Sequence, residues 1–174
     1  MEIDTKKEQE RQQLHSTIWK IANNLRGSVD GWDFKQYVLG MLFYRFISEN
    51  ITNYINRGEH KTGQKDFDYA KLDDQTAEAG RFQTIKEKGF YILPSELFEN
   101  ICRWSEEENN LENLNERLFT VFHNIEASAK GAVSEDDIKG LFDDLDVNSN
   151  RLGGGFLNVI KNYANSFKLL AYLT

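Results

Sequence analysis

The sequence predicts an all-α fold: an orthogonal helical bundle around a central apolar helix, with at most a minor two-stranded β element. Three observations carry that expectation. Residues 34–47 are apolar nearly all round a helical cylinder, which calls for neighbours on several sides. Amphipathic stripes at helical period recur before and after that segment. The strongest strand candidate, the aromatic and β-branched run 89–93, is too brief to define a sheet.

The first helix is expected over residues 7–25, where Leu14, Ile18, Ile21 and Leu25 form a narrow stripe. Gly27 suits its C-terminal end, and Asp30 or Asp33 can cap the next helix. That second, central helix is expected to run to about Asn56. Phe34, Val38 and Met41 share a face, while Leu42, Phe43, Tyr44, Phe46 and Ile47 spread around it. Arg45 falls on the Phe34/Val38/Met41 face, so its guanidinium is paired with an acid or snorkels past the core edge; the alternative is contact with a partner.

Residues 57–74 show no period and read as a long polar excursion carrying Arg57, His60, Lys61 and Lys65. After the run 89–93, Pro94 and Ser95 are expected to open a helix continued by Leu97, Ile101 and Trp104. Glu106, Glu107 and Glu108 read as a solvated acidic patch. Leu111, Leu114, Leu118, Phe122 and Ile125 form the stripe of the following helix. Ser134 to Asp137 resembles a capping box, and Ile138, Leu141, Phe142 and Leu145 follow at helical spacing. Three glycines, 153–155, then precede a last amphipathic helix with Phe156, Ile160, Tyr163 and Phe167 on its buried stripe.

At 174 residues, 40% hydrophobic and 13% aromatic, the chain suits one sizeable core. Its single cysteine, Cys102, excludes an internal disulfide and fits a reducing compartment, with the cytoplasm as the default. The N-terminus shows no apolar secretion signal, and no apolar stretch approaches the roughly 20 residues that span a bilayer, so no membrane role is expected. The net charge of −7 is uneven: residues 1–65 balance at +2, 66–112 at −7 and 113–174 at −2. Such an acidic chain lacks the counterion-release term that drives independent nucleic-acid binding, so DNA contact is expected through a larger complex. Within it, the candidate contact residues for DNA or a partner are Arg45, Arg57, Lys61 and Lys65.

No catalytic, cofactor-binding or metal-binding residue stands out. Cys102 and His123 offer a nucleophile and a base, yet Cys102 sits between Ile101 and Trp104 where inert thiols are usual, and no oxyanion device is visible. His15 and His60 lack ligand-spaced companions. The stretch from Asp144 imitates half a calcium loop, but Ser149 stands where Gly is needed and Gly155 where Glu should close the shell. The glycine triplet follows no strand and precedes no Gly-Lys-Ser/Thr, which excludes a phosphate cradle.

Four blocks occur in an order that resembles the N-terminal helical domain of the modification (M) subunit of type I restriction-modification systems. They are residues 19–27 (WKIANNLRG), 37–48 (YVLGMLFYRFIS), 89–98 (GFYILPSELF) and 140–153 (GLFDDLDVNSNRLG). The resemblance implies part of an S-adenosylmethionine-dependent DNA adenine-N6 methyltransferase that works with a specificity (S) subunit and a restriction subunit. The family's cofactor loop and its Asn-Pro-Pro-Phe/Tyr motif lie in a later domain, and the one proline here is Pro94. No catalytic or cofactor residue is carried over, and the chain alone is expected to be inactive and cofactor-free.

The expected organisation is therefore residues 1–153 as this helical domain and 154–174 as a C-terminal amphipathic helix. That last stretch diverges from the charged helix usual in the family, as at a domain boundary or an interrupted reading frame. The leading expectation is a non-catalytic domain that supports assembly with the S subunit and closure around DNA. The alternative is a stand-alone helical adaptor or regulator that binds another protein through its acidic middle.

Overall fold

A computed structural model of the chain describes residues 31–105, 107, 110–143, 16 and 145. Apart from residues 16 and 145, the predicted first helix (7–25), the calcium-loop imitation, the glycine triplet and the last helix lie outside the described residues. Gln36–Asn148 form one compact unit. Its described residues contain helices, turns and extended segments but no strand.

The central helix, α1, spans Gly31–Lys61. It continues one turn beyond the expected end, and His60 and Lys61 in that turn place positive charge at the carbonyl end of the helix dipole. Met41, Tyr44, Ile47 and Ile51 are buried on it, with Ser48 and Arg45 among them. Phe46 is not: two residues on from Tyr44, about 200° round the cylinder, it is 61% exposed. Among its described side chains the helix thus buries one broad face rather than the whole circumference. Gly40 packs tightly against another segment, since a Cβ there would lie 2.7 Å from Leu145 Cγ.

Beyond α1 the polar excursion is largely ordered by its own caps. Asp68 accepts from the Ala70 N–H (3.2 Å) to start a 3-10 turn at Tyr69–Lys71. Asp73 accepts from the Thr76 N–H (2.9 Å) to start α2, Asp74–Ala77. A second 3-10 turn, Glu78–Gly80, leads into α3, Arg81–Lys88. Gly89, at φ +85°, ends α3 with a left-handed cap.

After the left-handed Gly89, residues 90–93 lie outside any helix, with Leu93 extended, yet they pair with no strand among the described residues. Side chains from several elements bond the backbone of this stretch instead. Ser134 Oγ donates to the Gly89 carbonyl (2.6 Å), and the Tyr91 N–H donates to Ser128 Oγ (2.8 Å). Tyr69 Oη donates to the Ile92 carbonyl (2.8 Å), and Asn100 Nδ2 to those of Pro94 (2.8 Å) and Ala70 (2.7 Å). Asp74 accepts from both the Ser95 N–H (2.9 Å) and the Ser95 hydroxyl (2.6 Å). Tyr44 Oη donates to the Glu96 carbonyl, and the Phe98 N–H to Ser48 Oγ (3.2 Å). A buried backbone group must be paired, and here polar side chains do what a neighbouring strand would do.

Pro94–Glu96 forms a 3-10 turn, so the helix expected to open at Pro94 begins four residues later as α4, Phe98–Ser105. Another 3-10 turn, Asn110–Asn113, precedes α5, Leu114–Ser128, whose Leu114, Leu118, Phe122 and Ile125 are buried as the spacing predicts. The last described helix, α6, is four residues long, Glu135–Ile138. The capping-box expectation fails there: the Ser134 side chain makes no cap bond and donates instead to the Gly89 carbonyl, and Lys139 turns extended before Gly140 at φ +73°. Phe142 and Leu145 are nonetheless buried, carried inward by turns rather than by a continuing helix.

These elements meet around Tyr44, which is fully buried. Its ring makes edge contacts with Phe98 (centroids 5.5 Å apart) and Phe122 (5.3 Å), and Phe122 stacks on Phe142 at 4.3 Å. Helix α1 is thereby joined to α4, to α5 and to the segment after α6. Each such aromatic pair contributes about 0.5–1.5 kcal/mol beyond the area it buries.

Candidate functional site

Arg45 is buried, and its Nε donates to Glu49 Oε1 at 2.6 Å, one helical turn on. Of the two structural alternatives left by the sequence, pairing with an acid is the one found. Glu49 is 41% exposed, so the pair reaches the core edge with the carboxylate outward.

Arg57 and Lys61 lie on the last two turns of α1 and are exposed, and Lys65 is exposed in the turn that follows. None of the three makes an ion pair with a described residue. Lys71, Arg81 and Arg103 instead hold acids three or four residues away: Asp68 (3.0 Å), Glu78 (2.6 Å) and Glu99 (2.9 Å). The connection carrying Lys65 is held back against α1. Asn56 Oδ1 accepts from the Tyr69 N–H (2.8 Å), the His60 ring Nε2 lies 2.8 Å from the Phe67 carbonyl oxygen, and Gln64 Nε2 donates to Glu59 (3.0 Å).

Between the last three turns of α1, this connection and the stretch from α2 to α3 runs a cleft of about 1040 Å³. Arg57 and Lys61 line it, Lys65 does not, and Arg45 is elsewhere. Its opposite wall brings Lys88, whose Nζ lies 4.5 Å from the centre of the Tyr54 ring. Tyr54 Oη donates to Glu87, and this bond lowers the Glu87 carboxyl pKa and raises that of the phenol. Glu59 is the one acid among the described lining residues, against Arg57, Lys61 and Lys88. The lining has the opposite charge balance to the chain as a whole.

A smaller cavity, about 230 Å³, is bounded by Arg81, Tyr91, Leu93, Glu96, Asn124, Ala127 and Ser128. Glu96 is 4% exposed, and Asn124 Nδ2 donates to its Oε1 at 2.6 Å. Burial pushes the Glu96 carboxyl above the usual carboxylate range, opposed by the Asn124 bond and by the Arg117 charge. Arg81 stands over the Tyr91 ring at 4.7 Å, and the Tyr91 hydroxyl donates to the Ala77 carbonyl (2.6 Å). Burial likewise raises the Tyr69 and Tyr91 phenols. Sequence reasoning missed this cluster: its members stand up to 47 residues apart (Arg81 to Ser128), and no local spacing links them.

Cys102 is half-buried on α4 and His123 is exposed on α5. Among the described residues no group of three or more His, Cys, Asp or Glu side chains is placed to hold a metal. No helix among them is long and apolar enough to cross a membrane.

Comparison with known proteins bears on what this arrangement serves. The family model described as the HsdM N-terminal domain matches residues 14–160. The type I restriction enzyme MpnII methylase subunit of Mycoplasma pneumoniae (strain ATCC 29342 / M129 / Subtype 1) is 41% identical over 155 residues, which is 87% of this chain and 28% of that protein. The chain therefore spans a little over a quarter of the relative it matches. No solved structure matches it significantly.

Proposed function

The chain belongs to the HsdM N-terminal domain family, and from that membership we propose that it acts as the non-catalytic helical domain of a type I DNA adenine-N6 methyltransferase. Its task is to support assembly with the specificity (S) subunit and closure of the enzyme around DNA. The observation that carries the reading is the pairing of coverages: 87% of this chain is accounted for by 28% of a methylase subunit. On this reading the chain works in the cytoplasm, and the restriction subunit joins the same assembly.

The methyl donor, S-adenosylmethionine, does not fit the described residues. Its sulfonium is cationic, and the larger cleft offers Arg57, Lys61 and Lys88. The smaller cavity, at about 230 Å³, falls below the ~300–1,000 Å³ usual for sites that enclose a ligand of that size. On this reading cofactor binding and methyl transfer are not the work of the described residues.

Two measurements test the proposal. Titration calorimetry of the purified chain with S-adenosylmethionine is expected to give no saturable heat, and saturable binding would refute the non-catalytic assignment. Affinity capture of the chain is expected to recover the S subunit, and failure to recover it from co-expressing cells would refute the assembly role.

A further inference from the structure

The cleft beside the end of α1 has the chemistry of a polyanion grip. Arg57 and Lys61 are four residues apart, so both side chains rise from one face of the helix, about 6 Å apart along its axis. That spacing suits consecutive phosphates on one nucleic-acid strand. Lys61 in the last turn also favours the helix dipole, but that effect fades within a turn. It accounts equally for the third cation, Lys88, in the last turn of α3 on the facing wall, but not for Arg57, which has no acid paired to it among the described residues. A lining with three cations to one acid, in a chain of net charge −7, is a local reversal that a polyanion would recognise.

The aromatic groups separate backbone contact from base stacking. Lys88 already covers one face of Tyr54, and the Tyr54 hydroxyl is tied to Glu87. Single-strand binders need aromatic faces open to successive bases. Here the exposed charged groups of the lining are the two cations, beside neutral polar side chains such as Asn53 and Gln64, and cations contact phosphates whatever the sequence.

We propose that Arg57 and Lys61 hold two backbone phosphates of duplex DNA in this cleft when the methyltransferase closes. The proposal rests on reading the chain as part of that enzyme. Neutralising two phosphates releases counterions and gives a slope of log K against log salt of about −1.8 from this site alone.

The test uses the complex recovered with the S subunit and fluorescein-labelled duplex DNA, with anisotropy followed across salt concentrations. The double variant Arg57→Glu/Lys61→Glu is expected to flatten the slope, so that over a fourfold rise in salt it loses about 12-fold less affinity than the unaltered complex. Arg57→Gln/Lys61→Gln is expected to do the same with less disturbance of α1. Lys130→Glu/Lys139→Glu, with the same change in charge at exposed sites outside the cleft, is expected to leave the slope unchanged.

If the complex forms and the slope of both cleft variants equals that of the unaltered protein, the phosphate grip is wrong while the assembly reading stands. Loss of S-subunit capture in the cleft variants, with helicity intact, would assign the cleft to an acidic protein segment and overturn the proposal. If the unaltered chain fails to capture the S subunit, the assembly reading fails and the proposal falls with it.

Discussion

Replacing Tyr44 by Phe removes one oxygen from the centre of the unit and leaves the ring in place. The edge contacts with Phe98 and Phe122 remain, so the change isolates the hydroxyl bond to the Glu96 carbonyl. Tyr44 is fully buried and Glu96 nearly so, and water therefore has little access to the abandoned carbonyl. An unmade buried bond costs about 1–3 kcal/mol, against about 0.5–1.5 for a typical bond lost where water can replace it. We expect Tyr44→Phe to destabilise by about 2 kcal/mol, or roughly 4–8 °C in Tm for a chain of this length.

Tyr54→Phe is the matched control, because its hydroxyl also bonds an oxygen acceptor, Glu87, but at the surface; it should cost no more than about 0.5 kcal/mol. Urea unfolding followed by circular dichroism reads both, with unchanged m values confirming that stability alone has moved. Equal midpoint shifts for the two variants would refute the claim that burial sets the cost.

The buried Glu96 makes stability depend on pH. Its folded pKa is raised, so the native state binds more protons than the unfolded chain between the ordinary glutamate value and the raised one; stability falls as pH rises through that window and the loss is constant above it. Glu96→Gln keeps an acceptor for Asn124 and removes the titration, so urea midpoints of the variant should gain on the unaltered protein as pH rises from about 4 to neutrality; parallel profiles would show that Glu96 is not responsible. Gly89→Ala combines a left-handed φ with a Cβ placed 2.6 Å from Ser134 Cβ, and should cost about 2–3 kcal/mol in the same assay. Gly63→Ala, at φ +103° with open space around it, should cost less, and the reverse order would refute the steric argument.

Legibility followed how locally each feature is encoded. The buried stripe of α5 is visible because one helix carries all of its members at regular spacing. Arg45 was legible in the same way, since its partner Glu49 is one turn along. The stretch after Ile138 misled because Leu141, Phe142 and Leu145 keep helical spacing while Lys139 and Gly140 leave helical conformation, and spacing cannot report a φ. Phe46 misled differently: an apolar residue on a rich helix reads as buried, yet its side of α1 has no described neighbour dense enough to cover it. At the candidate site, charge alone picks out Arg57, Lys61 and Lys65 in the sequence, but it does not separate Arg57 and Lys61, which line the cleft, from Lys65, which does not. The cleft itself could not be read, because its second wall arrives with Lys88, 27 residues after Lys61.

The segment from Gly89 to Phe98, irregular backbone that leads through a 3-10 turn into α4, has a consequence for association. An edge strand exposes a row of unspent donors and acceptors, and so invites a foreign strand to add itself. Here the N–H groups of Tyr91, Ser95 and Phe98 already hold the oxygens of Ser128, Asp74 and Ser48. The carbonyls of Gly89, Ile92, Pro94 and Glu96 are likewise occupied by Ser134, Tyr69, Asn100 and Tyr44. Part of the backbone of an aromatic, β-branched run of the kind that seeds aggregation is thus already spent, which leaves a foreign strand no continuous row to pair with. Because its ties come from separate helices and turns, losing one does not unzip the next, and the protection fails gradually rather than all at once.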